Sequence, residues 1–232
     1  MIIFTQEVAT AQVAALINNY PGLRVSESNS EAIRLRGSIR VYRTAFDYTL
    51  DKSYEVEIII PVNTSTLPSV KDVGGSISDD YPHRYVCGEL CLETETVIRL
   101  RFIEGFSLIE WMDEFVEPYY FTYEYYCRYG VFPFGDRPHD LGGIINTYQD
   151  LFSEDDLSIV WRLMSFCVTG KYRGHANCPC GSGKRTRDCH GKGLLPIMTD
   201  PRKVEIVKNN TNRIIKELVK HESTGRNTET AE

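Results

Sequence analysis

The sequence predicts an α+β fold: an N-terminal helix, an antiparallel β-meander and C-terminal helices, with a small appended module bearing cysteines and a histidine. Three observations predict it. Apolar residues recur at helical spacing near the N terminus, β-branched and aromatic runs follow, and helical spacing returns after residue 107. At 232 residues and 42% hydrophobic composition, the chain suffices for one domain of common size plus a smaller appendage.

The first helix is read over Thr5 to Tyr20, with Val8, Val13, Leu16, Ile17 and Tyr20 near helical spacing, Thr5 as N-cap and Pro21-Gly22 as the stop. Ala32 to Phe46, Tyr48 to Ile60 and Val70 to Val73 read as strands of the meander, divided by Asp51-Lys52 and a polar stretch ending at Pro68. Gly75 to Thr96 holds glycine, proline, histidine and two cysteines without periodicity, the profile of a long functional loop. Val97 to Phe102 is read as another strand or a continuation of the same framework. Ser107 and Glu110 form a capping-box pattern ahead of Leu108, Trp111, Met112, Phe115 and Val116, a core helix with an interruption expected at Pro118. The aromatic run from Tyr119 to Tyr129 is assigned to the core. It lies in an acidic half of the chain, where phosphate would be repelled. Gly130 to Gly143 reads as a loop, Ser153 to Val168 as a helix with an acidic first turn, and Pro201 to Lys220 as the last helix.

Charge divides the chain. Residues 1–170 carry 13 Lys/Arg against 25 Asp/Glu, and residues 171–232 carry 13 against 7, so an acidic body precedes a basic tail. Such a tail attracts nucleic acid or an acidic protein, or docks on its own acidic body. No apolar run approaches the ~20 residues that cross a bilayer, and the first residues lack the pattern of a secretion signal. A cytoplasmic protein with no membrane partner is expected. Seven cysteines, an odd number, then favour metal binding or thiol chemistry over a disulfide framework. Cys127 and Cys167, in aromatic or aliphatic stretches, read as small buried hydrophobes. His175 and His221 are given no role, and His139 is read as fixing its loop.

In Cys178-Pro179-Cys180-Gly181-Ser182-Gly183-Lys184-Arg185-Thr186-Arg187-Asp188-Cys189-His190-Gly191, two ligand pairs flank eight residues. Cys178, Cys180, Cys189 and His190 are soft or borderline ligands that suit one tetrahedral zinc ion. Gly181 and Gly183 permit the tight backbone this requires, and the nearby lysine and arginines offset thiolate charge. A redox dithiol is the competing reading, but it leaves the adjacent Cys189-His190 unexplained. With all four positions filled by protein, the zinc is expected to be structural rather than catalytic. These fourteen residues resemble the SEC-C motif found at the C terminus of the bacterial preprotein translocase motor and in many unrelated bacterial proteins. The resulting division is a main domain over 1–168, the zinc module with its linker over 169–195, and a C-terminal helix with a polar tail over 196–232.

A second motif, Tyr81-Pro82-His83-Arg84-Tyr85-Val86-Cys87-Gly88-Glu89-Leu90-Cys91-Leu92, resembles the active-site segment of ubiquitin-conjugating enzymes. In that family a His-Pro-Asn tripeptide precedes Gly-x-x-Cys-Leu. Here Pro82, His83, Gly88, Cys91 and Leu92 stand at the matching spacing, Tyr81 replaces the family's histidine, and His83 replaces its asparagine. The order of elements over residues 1–165 agrees as well. The chain is similar to bacterial relatives encoded beside cGAS-like nucleotidyltransferases in antiphage operons, to which the loop through Pro133, Gly135, His139 and Gly142-Gly143 also bears a likeness.

The resemblance implies a ubiquitin-conjugating-enzyme-like fold in which Cys91 accepts a protein C terminus as a thioester and passes it to an amine. His83 is the candidate oxyanion donor or base, since an unperturbed histidine exchanges protons near neutrality. Cys87 is the internal competitor of Cys91. The implied partners are a protein donor with an activated C terminus, such as a cGAS-like nucleotidyltransferase, and a protein acceptor; nucleic acid is not expected. The alternative is a non-catalytic protein-binding or RNA-binding adaptor on the same fold, using the zinc tail.

Overall fold

A computed structural model describes residues 3–136, 138 and 140–226, the last six by their backbone alone. His139 and the side chain of His221 lie outside the described residues. The contacts divide the chain into two compact units: Met1–Glu95 with Glu104–Asp136, and Thr96–Ile103 with Arg137–Glu232. Among the described residues, no helix is long and apolar enough to cross a membrane.

The first unit is α+β. Helix α1 (Gln6–Asn19) starts where expected, the Thr5 hydroxyl accepting from the Val8 N–H, and buries Ala9, Val13 and Leu16. Four strands follow, β1 (Leu23–Ser28), β2 (Ala32–Ala45), β3 (Tyr48–Pro61) and β4 (Ser69–Asp72), in one antiparallel sheet of order β1-β2-β3-β4. The three anticipated strands match β2 to β4 within two residues at the described ends, but Asp51-Lys52, expected to divide them, lies inside β3, and the chain turns instead at Phe46-Asp47, both at positive φ. Strand β1 was not anticipated, because Leu23 alone of its residues is buried and Arg24-Val25-Ser26-Glu27-Ser28 leaves no apolar alternation. Strands β1 and β2 meet closely at Gly37 (φ +141°), where a Cβ would lie 2.1 Å from the Gly22 carbonyl oxygen. Strand β1 pairs β2 only up to Gly37, and β4 pairs β3 only over Val56 to Ile59. The turn-proximal half of the β2–β3 hairpin is therefore a two-stranded ribbon.

Helix α3 (Leu108–Trp111) is capped by the Ser107 hydroxyl, which accepts from the Glu110 N–H. It widens into a π-helical stretch (Met112–Val116), in which the Glu117 N–H reaches back to the Met112 carbonyl, and continues as α4 (Glu117–Tyr129). The widening falls just before Pro118, whose ring and missing N–H disfavour a regular helical turn. The first part of the aromatic run of α4 fills the core: Tyr119, Tyr120, Phe121 and Tyr123 are buried, and Tyr120 stacks on Tyr54 of β3 with centroids 4.1 Å apart, whereas at the helix end Tyr129 is exposed and so is Cys127, expected to be buried.

The second unit is helical. Helix α2 (Glu95–Arg101) begins in the first unit, and its remaining residues belong to the second. It replaces the strand or framework expected over Val97 to Phe102; a short apolar run does not reveal its period, and the burial of Ile98 and Phe102, four residues apart with the Phe102 N–H donating to the Ile98 carbonyl at 3.0 Å, follows helical geometry. Helices α5 (Asp140–Phe152), α6 (Leu157–Thr169), α7 (Gly191–Met198) and α8 (Pro201–Arg226) complete the unit. Its core includes Ile144, Tyr148, Leu163, Met164, Leu194 and Val207, together with Cys178 and Cys180. The cysteine segment is thus built into this core. Val168, the end of the first domain in the sequence-based division, lies within α6.

Candidate functional site

The segment carrying Cys91 extends the sheet beyond β4. The Leu90 N–H donates to the Val70 carbonyl at 2.9 Å, and Lys71 pairs with Glu89. The chain also folds back on itself. Arg84 pairs antiparallel with Leu90, the Tyr85 N–H donates to the Glu89 carbonyl at 2.9 Å, and Gly88 takes a positive φ of 83° in the turn. Val86 at the tip is fully exposed, and so is much of Cys87. Cys91 is half-buried at the base of this small hairpin.

The hairpin brings Cys91 and His83 side by side through their backbones, the Cys91 N–H donating to the His83 carbonyl at 2.8 Å. The Tyr85 hydroxyl donates to Cys91 Sγ at 3.3 Å. The His83 ring lies against Tyr81 and Phe132 and places Nε2 3.1 Å from an Asp136 carboxylate oxygen. The Tyr119 hydroxyl also donates to the His83 carbonyl, at 3.0 Å, tying the loop to α4. Burial raises the Tyr119 phenol well above its ordinary range, so it stays protonated as a donor. The arrangement holds one sulfur and one imidazole on a braced loop, each with a polar partner. Tyr85 and Asp136 were not singled out in the sequence: Tyr85 lies inside the motif but has no assigned role there, and Asp136 is 45 residues from Cys91.

In the second unit, the ligand atoms of Cys178, Cys180, Cys189 and His190 all lie within 4.8 Å of one another. Nδ1 of His190 is 3.4 Å from Cys178 Sγ and 3.3 Å from Cys189 Sγ, and the sulfurs of Cys180 and Cys189 are 3.6 Å apart. A tetrahedral ion with bonds of ~2.3 Å has edges of roughly 3.8 Å, so the donor spacing fits a single ion. The fold of the segment explains this convergence. Gly181 (φ 87°) and Gly183 (φ 76°) turn the chain, the Cys178 N–H donates to the Lys184 carbonyl at 2.8 Å, and Gly181 N–H returns to the Cys178 carbonyl at 3.1 Å. Thr186–Asp188 then form a single 3₁₀ turn that delivers Cys189 and His190.

The thiols differ in their electrostatics, burial pushing Cys178 up to about 11 while Cys180 is held low. Burial pushes the Cys180 thiol up, but hydrogen bonding with the Ser182 hydroxyl and backbone N–H outweighs it and holds the thiol down at about 6. Arg162 Nη1 also donates to the Cys180 carbonyl at 3.4 Å. The other ring nitrogen of His190, Nε2, lies 3.3 Å from Glu154 Oε2. The four residues named from their spacing therefore do form one cluster able to hold a metal such as zinc. Glu154 was missed as a member of its surroundings, since Ser153-Glu154-Asp155-Asp156 read simply as the acidic start of a helix. No family model, curated protein or solved structure matches this chain.

Proposed function

We propose that the chain is a ubiquitin-conjugating-enzyme-like acyl carrier, with Cys91 as the thioester-forming cysteine and a structural zinc ion held by Cys178, Cys180, Cys189 and His190. The observation that carries the first part is the hydrogen bond from the Tyr85 hydroxyl to Cys91 Sγ at 3.3 Å, on a loop that also holds His83. A donor aimed at sulfur favours the thiolate, the nucleophilic form. The order of a helix, a four-stranded antiparallel meander, a hairpin with the cysteine and then helices supports the same reading.

The chemistry requires two displacements. Cys91 sulfur attacks the activated carboxyl carbon of a donor protein, expelling the activating group and forming a thioester. An amine then attacks that carbonyl, an amide forms, and the Cys91 thiolate leaves. His83, faced by Asp136 at Nε2, takes the proton lost by the amine. When bound, zinc contributes cross-linking of the second unit; with four protein ligands its site has no position for substrate.

Trapping tests the proposal. Cys91→Lys should accumulate a stable isopeptide-linked adduct in cells, and the wild-type chain a thiol-sensitive one, both identified by mass spectrometry. An adduct pattern unchanged in Cys91→Ala overturns the assignment and leaves the binding-adaptor alternative.

A further inference from the structure

We infer, taking the cluster to hold zinc as proposed above, that Glu154 is a positioning residue for the metal: its carboxylate fixes the His190 ring and ties the ion to the start of α6. His190 directs Nδ1 at the sulfurs, so a neutral ligating ring carries its proton on Nε2. Nε2 faces Glu154 Oε2 at 3.3 Å, with the two side chains only 11% and 20% exposed. A carboxylate at this place selects the tautomer and orients the ring.

Glu154 is itself held. Its Oε1 accepts the Asp156 N–H at 3.0 Å, and its own N–H donates to the Gln149 carbonyl at 3.0 Å. Ser153 takes a positive φ of 53° in the same turn, and Gln149 Nε2 closes it by donating to the Asp155 carbonyl at 3.0 Å. Asp156 in turn caps α6, its Oδ1 accepting from the N–H groups of Ser158 and Ile159 at 2.8 and 3.3 Å. A polar contact thus joins His190 to Glu154, and hydrogen bonds run from Glu154 through Asp156 to the first turn of α6. The residues between α5 and α6 serve as part of the metal site as well as a connection between two helices.

The test uses the full chain, zinc affinity by competition with a chromogenic chelator, and the absorption spectrum after cobalt(II) substitution. Glu154→Ala should weaken zinc binding by roughly ten- to a hundredfold and shift the cobalt spectrum. Glu154→Gln, which keeps an oxygen acceptor of the same reach but no charge, should recover the spectrum and part of the affinity. Asp156→Ala removes the α6 cap but keeps its N–H, so it should lower the melting temperature with zinc affinity unchanged. Wild-type affinity and spectrum in Glu154→Ala overturn the inference, as does an equal loss of affinity in Asp156→Ala. A wild-type chain that binds neither metal overturns the zinc reading instead.

Discussion

The Cys91 N–H donates to the His83 carbonyl at 2.8 Å, so the backbone of a hairpin fixes a residue eight positions earlier beside the cysteine. Replacing the His83 side chain therefore leaves this contact in place. We expect His83→Ala to form the Cys91 adduct normally but to discharge it to an added amine about a hundredfold more slowly. Single-turnover gel assays separate the two steps, and equal slowing of both would contradict a role in handling the amine proton.

With zinc held as proposed, its removal should unfold the second unit. Cys178 and Cys180 lie within its core, so chelation leaves thiols there with no ion to hold them together. At free zinc a thousandfold above its dissociation constant, the lost stabilisation is about 4 kcal/mol. Far-ultraviolet circular dichroism should report loss of helix on chelation and its return with zinc, and His190→Ala should show the low helix content without chelator.

Tyr120 offers a prediction of the opposite sign. Its ring stacks on Tyr54, but its hydroxyl is buried without a hydrogen-bond partner. Tyr120→Phe keeps the stacking and removes an unsatisfied polar group, and should raise stability by about 1 kcal/mol. Urea unfolding would reveal it as a higher midpoint at unchanged slope.

A pH response follows from Asp200. Its hydrogen bonds with Arg202, reinforced by the Arg202 backbone N–H and the positive charge, outweigh burial and hold the carboxyl down at about 2. A depressed carboxylate contributes stability that is fully present above its unfolded value near 3.9 and is lost as pH falls through about 2. Carboxyl NMR titration should place the Asp200 midpoint near the lower value, and Arg202→Ala should return it toward the ordinary range.

Much of the architecture was legible because periodicity survives in long elements: α1, β2, β3, α6 and α8 all declared themselves. The losses have local causes. Helix α7 contains Gly193 and Pro196, which argue against a helix, yet Gly193 lets the backbone approach the Leu151 carbonyl so closely that a Cβ would sit 2.4 Å from its oxygen. Helix α5 opens with Gly142-Gly143, a loop signature on its own, and Gly143 is buried. The ligand quartet was readable since chemistry dictates its spacing. Glu154 was not, because it lies 36 residues before His190 and only tertiary packing brings them together.

The two-stranded half of the β2–β3 hairpin bears on how copies of this chain behave at high concentration. Among the described residues, no further strand pairs with either edge of that ribbon, and Tyr42 and Phe46 stand exposed on it. Such edges invite strand addition from another molecule. Arg40 and Asp51 join diagonally on one face of the ribbon through two 2.7 Å hydrogen bonds, and on the other face Arg43 pairs with Asp113 and Glu117 and Lys52 with Glu124. Charged side chains on both faces of a ribbon make strand addition from another molecule costly, so such charge opposes self-association independently of folding stability.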